Sequence, residues 1–297
     1  MAIQFDRLLT TALVDPALRA IRRLRASTGP QSVPVLMYHS ITDDPEPGVG
    51  GYYRLNTPPS LFREHLRILK DEGFTVVDLA TAFKGLNHSV NPETKANPDQ
   101  RGRKLAVITF DDGFRDFLTA AWPALVEFGF TATVFLPTAF IGNDRLTFKT
   151  RECLTWEEVR ELRKQGVSFG SHTINHPKLW ELDPVTFATE LRESRDCIER
   201  ELGEPIHSFA HPYAFPGNHA AYIRCFRDTL LESGYSFGVT TSLGCIHCGD
   251  DALLLKRLPA NGGDDASLFR AKLNGAYNWL AWPQKAVKLL KATRHSR

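Results

Sequence analysis

Four short runs of this sequence carry side chains suited to binding a metal or moving a proton, and each follows an apolar run of strand length. Asp111-Asp112-Gly113 follows residues 105–110, His172 and His176 follow 167–170, His39 follows 33–38, and His211-Pro212-Tyr213 follows 208–210. His172 and His176 stand four apart, the spacing that puts two imidazoles on one helix face. Pro177 disfavours helical geometry in His176, so a tight loop at the strand end fits better and still aims both rings at one point. Two solvent-facing histidines would give the same spacing. Successive carboxylates in a strand diverge, but Gly113 lets the chain turn at once and bring Asp111 and Asp112 to one side. A solvated Asp-Asp-Gly turn is the competing reading. Two histidines and one carboxylate form a three-ligand set that leaves a position open for water, as catalytic zinc sites do. The remaining aspartate then binds no metal and is free to take a proton.

The elements that must position these groups alternate along the chain. Strand-length apolar runs occupy residues 33–38, 74–77, 105–110, 132–136, 167–170, 208–210, 237–240 and 253–258, with helix-like stretches at 59–72, 117–128, 155–165, 183–202 and 220–233. Thr155 followed by Glu158 is a capping-box pattern, and Gly73, Gly129, Gly166, Gly203 and Gly234 stand where helices should end. Continuous apolar strands between helices predict an α/β fold with a parallel sheet, and seven or eight such units favour a (β/α) barrel over an open doubly wound sheet. In a barrel the carboxyl ends of the strands share the reactive face, so all four runs converge there. Residues 87–103, rich in Asn and Pro, predict a surface excursion.

The motifs resemble a known family. Thr109-Phe110-Asp111-Asp112-Gly113 and Ser171-His172-Thr173-Ile174-Asn175-His176-Pro177 are similar to the two signature motifs of the polysaccharide deacetylases, the NodB-homology or carbohydrate esterase 4 family. Val33-Pro34-Val35-Leu36-Met37-Tyr38-His39 resembles the opening strand of the poly-N-acetylglucosamine deacetylase branch. Ala132-Thr133-Val134-Phe135-Leu136, Thr155-Trp156 and Phe209-Ala210-His211-Pro212-Tyr213 match that branch in type and order. The resemblance covers residues 32–260. It implies a distorted NodB-type (β/α) barrel that removes N-acetyl groups from an amino-sugar glycan or glycolipid with the help of a metal. It further implies Asp111 as general base, Asp112, His172 and His176 as metal ligands, His39 as general acid, and the backbone N–H of Tyr213 as an oxyanion donor. Zinc suits two histidines and one aspartate, and cobalt, nickel, manganese or iron fit the same donors.

Elementary chemistry agrees with these roles. An aspartate near a cation, with a reference pKa of about 3.9, stays ionised and accepts the proton of water, whereas histidine, at about 6.5, is the natural donor to a departing nitrogen. An O-acetyl ester would be attacked by the same machinery, and a silent glycan-binding homologue would keep the barrel without the base. The third motif departs from the branch: His211 stands where an aromatic is common and Ala214 where glycine is, which leaves the shape of that loop open. Arg257 is placed to hold Asp111 or to make an ordinary ion pair. Cys245-Ile246-His247-Cys248 lacks the partners of a zinc site, Trp156 is expected to pack over the top of the barrel, and Trp279 and Trp282 are expected in helix packing, with a sugar or membrane interface as the competing reading.

Composition bounds the rest. Thirty-six basic against 34 acidic residues give a net charge of +2, too little for a nucleic-acid partner. The charge is unevenly spread. Residues 1–30 hold five arginines and two aspartates, residues 284–297 hold five cations and no acid, and the intervening chain is therefore acidic by six charges. Residues 1–31 predict a basic amphipathic helical arm, 32–260 the deacetylase domain and 261–297 a basic helical segment. Such ends suit peripheral contact with an anionic membrane, and solvated terminal helices are the competing reading. The amino terminus does not have the order of a secretory signal, and five scattered cysteines make no disulfide framework, so a cytoplasmic location, at the inner membrane face, is the expectation.

Overall fold

The computed structural model describes residues 5–24, 32–50, 54–88 and 104–281. Its centre is a closed ring of seven parallel strands: β1 (Val35–Tyr38), β3 (Lys104–Phe110), β4 (Thr133–Leu136), β7 (Ser168–Ser171), β8 (Ser208–Ala210), β9 (Phe237–Leu243) and β10 (Leu255–Pro259), with β10 pairing back to β1. The eighth expected strand, β2 (Phe74–Val76), is outside the ring. It pairs with the first residues of β3, through Phe74↔Lys104 and Val76↔Ala106, before β1 joins the same strand at Val107. A two-stranded antiparallel hairpin, β5 (Thr147–Phe148) and β6 (Arg151–Glu152), lies after β4 and has no counterpart in the sequence reading.

Period-two alternation sorts the strand side chains. Val35, Val107, Phe135, Ala210, Val239 and Leu255 fill the barrel interior as one buried cluster. Leu36, Ala106, Ile108, Val134 and Phe209 face the helices in the other. Counting up β3 in steps of two from Val107 leads to Thr109 and then Asp111, so the first aspartate of the motif stands above the interior column. Leu255 and Arg257 follow the same rule on β10. Gly170 in β7 is required by packing, because a Cβ there would meet the Phe135 ring and Ser208 Oγ at 2.6 Å.

The helices, α3 (Pro59–Asp71) and α8 (Ala220–Glu232) among them, close where the sequence says they should. Thr155 and Glu158 form a complete capping box on α6 (Trp156–Lys164), and Asp183 caps α7 (Pro184–Leu202) through Val185 and Thr186 N–H. The stretch 117–128 is divided: a π-helical turn, Phe117–Ala121, precedes α5 (Trp122–Phe128), with Pro123 in its first turn. Helix α4 (Leu79–His88) was not expected. Its Leu79, Ala82 and Leu86 belong to the interior cluster, so it plugs the amino-terminal end of the barrel.

The arm is helical over α1 (Phe5–Leu9), a π turn (Thr10–Val14) and α2 (Asp15–Leu24), and the π turn precedes Pro16, which has no N–H to give. The carboxyl-terminal segment contributes α9 (Ala266–Leu273) and a short 3-10 turn, Asn278–Leu280. The two ends meet. Trp279 Nε1 donates to Thr10 Oγ1 at 2.9 Å, Tyr277 hydroxyl to Asp6 at 3.1 Å, and Arg7 pairs with Asp265. Trp156 is buried as expected. The excursion from residue 89, Trp282 and the basic tail lie outside the described residues.

Candidate active site

The carboxyl end of the ring gathers the predicted side chains. Asp111, directly after β3, is buried and takes a two-pronged contact from Arg257: Nη1 to Oδ1 at 2.6 Å and Nη2 to Oδ2 at 2.7 Å. Arg257 is itself fully buried, and it also donates to Thr109 Oγ1 and Thr240 carbonyl, both at 3.2 Å. Burial pushes the Asp111 carboxyl up, but the guanidinium, His172 and His39 outweigh it and hold the group below its usual 3.8. The sequence named Arg257 as a candidate, and the fold brings it to Asp111.

Asp112 leaves the interior because it turns with φ +70°, followed by Gly113 at +62°. Its Oδ1 lies 3.2 Å from His176 Nε2 and 3.6 Å from His172 Nε2. The donor atoms of these three buried residues all fall within 4.8 Å of one another, and no other group of three such side chains clusters this way among the described residues. Oδ1 nevertheless makes no aligned hydrogen bond. Burial pushes Asp112 up, and His176, His39 and Lys149 bring it well below its usual value. The pair His172 and His176 is not helical. His172 continues from β7, donates through Nδ1 to Ala210 carbonyl at 2.8 Å and so directs Nε2 inward. Burial lowers His172 to about 4, which leaves the ring neutral.

Glu190 holds the loop between the two histidines and was missed by sequence reasoning. It is buried on α7 and accepts from Ile174 N–H at 2.8 Å, Asn175 N–H at 3.0 Å and Asn175 Nδ2 at 2.7 Å. A carboxylate fifteen residues downstream on a helix leaves no local spacing signal. The loop is held in uncommon backbone conformations. Six non-glycine residues among those described have positive φ, and four of them are Asp112, Thr173, His176 and Tyr213. Such strain concentrates at functional sites. The other two, Lys149 and Thr150, form the tip of the β5–β6 hairpin, and Lys149 Nζ donates to Asp112 Oδ2 at 3.0 Å.

His39, following β1, places Nε2 4.0 Å from Asp111 Oδ2. Burial lowers its pKa, while Asp112 and Asp111 raise it part of the way back. Tyr213 is 44% exposed, and its ring packs 4.6 Å from His176. Its loop is fixed although Ala214 replaces a glycine, since Thr241 Oγ1 donates to Tyr213 carbonyl at 3.1 Å and accepts from Phe215 N–H at 2.7 Å. His211 is buried among Phe215 and Phe226, with Nε2 2.7 Å from Tyr222 hydroxyl and its ring stacked on Trp180. It shapes the loop from behind. Cys245 is buried, its N–H donates to Asn278, and among the described residues neither Cys245 nor Cys248 belongs to a group of three side chains that could hold a metal.

Residues 99–225 match the polysaccharide deacetylase family model. A Bacillus subtilis (strain 168) protein, YxkH, named as a polysaccharide deacetylase of inferred function, is 28% identical over 245 residues, 82% of this chain and 76% of that protein. The Streptococcus pyogenes deacetylase PplD, solved in complex with acetate, superposes with a TM-score of 0.67 at 26% identity over 82% of this chain and 99% of its own. IcaB from Ammonifex degensii shares the fold, with a TM-score of 0.66 at 20% identity, covering 83% of this chain and 97% of its own. The ring of seven strands, with both motifs at its mouth, is thus similar to the polysaccharide deacetylase family in sequence over residues 99–225 and to these deacetylases in fold.

Proposed function

We propose that the chain hydrolyses the N-acetyl amide of an amino sugar in a glycan or glycolipid, with Asp112, His172 and His176 holding a divalent metal, Asp111 as general base and His39 as general acid. The observation that carries this reading is a pair of adjacent buried carboxylates with opposite surroundings. Asp111 is saturated by a guanidinium, whereas Asp112 Oδ1 is buried without a hydrogen bond beside two imidazole Nε2 atoms. An orphaned buried acceptor facing two imidazole rings fits a cation, so the residues present suit the metal. Zinc is the first choice, and cobalt, nickel, manganese and iron suit the same donors.

When bound, such an ion supplies a water with a pKa near about 7 and polarises the acyl oxygen. The side chains do the remainder. Asp111, ionised and aimed by Arg257, accepts a proton from the attacking water. His39, beside Asp111 at the end of the neighbouring strand, gives a proton to the nitrogen as it departs, and Asp112 and Asp111 offset part of the lowering that burial imposes on it. The N–H of Tyr213, in a loop pinned by Thr241, supports the developing oxyanion. The reading predicts that zinc-reconstituted protein releases acetate from N-acetylglucosamine oligomers faster than from acetylated xylan. The opposite preference in a side-by-side assay assigns it to O-acetyl esters instead, and no release from either leaves a glycan-binding role.

We further propose residues 32–260 as the catalytic unit, in a protein of the cytoplasm that meets the inner membrane face through its arm. Cys153, Cys197 and Cys225 are thiols, which fits a reducing compartment, and no helix among the described residues is long and apolar enough to cross a membrane. The arm is docked inside out. Thr10 and Asp15 are buried against the carboxyl-terminal segment, while Leu8, Ala12, Leu13, Pro16, Ala17 and Ala20 face outward. The sequence from Asp15 to Asp43 contains Arg19, Arg22, Arg23 and Arg25 and no acid between those aspartates. Exposed leucines on an arginine-rich arm complement an anionic bilayer surface. The full chain is expected to sediment with vesicles of phosphatidylglycerol and phosphatidylcholine but not of phosphatidylcholine alone, and L8Q/L13Q to lose that binding. Equal recovery with both vesicle types, or none with either, refutes it.

A further inference from the structure

Lys149 has no motif to announce it, yet the geometry marks it out. It sits at the tip of the β5–β6 hairpin, where φ is +50° at Lys149 and +67° at Thr150. All the other positive-φ non-glycine residues among those described belong to the loops that carry Asp112, His176 and Tyr213. The Lys149 ammonium lies 3.0 Å from Asp112 Oδ2, 4.6 Å from the centre of the Phe148 ring and 5.9 Å from that of Tyr213. Phe148 in turn packs 5.1 Å from His176. The hairpin is braced from behind by Arg151, which donates to Ser40 Oγ at 2.7 Å and lies within 4 Å of Asp44 and Asp116.

The two oxygens of Asp112 therefore have different surroundings. Oδ2 accepts from the ammonium, and Oδ1, which has no hydrogen bond, faces both imidazoles. We propose that Lys149 is a positioning residue that engages Oδ2 and leaves Oδ1 as the single oxygen donor to the metal. The inference rests on the metal-site reading above and deepens it. A carboxylate without this clamp is free to offer both oxygens and fill a position that water or substrate needs, whereas three single-atom donors keep positions open.

The sign of the effect separates a clamp from a bystander. A bystander ammonium only repels a cation, so removing it tightens binding. Removing a clamp loosens it. Zinc affinity of the metal-free full chain, measured by competition with a chromophoric chelator, is expected to fall about tenfold in K149M and to return in K149R. The visible absorption of the cobalt form is expected to weaken in K149M, as the coordination number rises, and to recover in K149R. Unchanged or tighter zinc binding with an unchanged cobalt spectrum in K149M overturns the proposal. Wild-type protein that binds neither ion overturns the metal-site reading instead, so the two failures are distinct. If K149M does not keep the wild-type far-UV circular dichroism, K149Q supplies the same comparison.

Discussion

Asp111→Asn is expected to lower kcat by about a thousandfold at saturating zinc, within the range that a positioned general base contributes. Zinc stoichiometry is expected to stay at the wild-type value, because Asp111 is turned toward Arg257 and the candidate ligand atoms belong to Asp112, His172 and His176. The substitution is nearly isosteric, but it leaves a fully buried guanidinium facing an amide. One of the two prongs then meets an NH2 group in place of an acceptor. A loss of stability is therefore part of the expectation, and kcat must be compared on protein shown to be folded by near-UV circular dichroism. Retained turnover with zinc bound would remove Asp111 from the role of base. Loss of zinc would instead place it among the ligands. His172→Ala has the opposite signature, since its Nε2 faces Asp112 and its Nδ1 is already committed to Ala210 carbonyl.

The contrast between Asp111 and Asp112 shows how far a sequence can be read. The alternation of apolar runs with capped helices is local physics, and it placed the strands of the ring and most of the helices. Once β3 is recognised as a strand, period two alone carries the line Val107, Thr109, Asp111 up the interior, and Leu255, Arg257 up β10 toward it. The meeting of Asp111 with Arg257, 146 residues apart, is thus a consequence of two alternations and of ring closure. Closure itself is not local. Nothing in residues 74–76 says that β2 pairs only with the start of β3, because that depends on β1 claiming the same strand from Val107 onward.

Other groups at the site were hidden for a related reason. Glu190 and Lys149 act through backbone N–H groups and a carboxylate supplied by distant segments, and neither has a spacing rule to find it by. His176 was legible as a histidine four residues after His172, and Pro177 correctly argued against a helix. The backbone turn to φ +54° that aims it is visible only in three dimensions. His211, which departs from the pattern of the resembled branch, is explained by Tyr222 and Trp180, both met only once the chain is folded.

Arg257→Met tests the buried pair from its other side and is expected to be the most destabilising single change at the site. Arg257 and Asp111 are both almost wholly excluded from water, so their attraction largely offsets the desolvation each suffers on folding. Removing the guanidinium strands a carboxylate, which costs on the order of 3–5 kcal/mol. The direction with pH follows from the same groups. In the wild type the Asp111 carboxyl is held below its usual 3.8, so its contribution to stability is present above that value and lost as the pH falls through the folded pKa. Without Arg257 the burial that pushes the group up is unopposed by its main partner. The folded pKa then lies above the unfolded one, and the deficit of the variant grows as the pH rises. Urea unfolding of metal-free protein is therefore expected to show a larger gap between wild type and R257M at pH 8 than at pH 5. The double variant R257M/D111N removes both charges and is expected to recover most of the stability while remaining inactive. A double variant no more stable than R257M would mean that the guanidinium matters through Thr109, Thr240 and its packing over Phe135, with the ion pair contributing little.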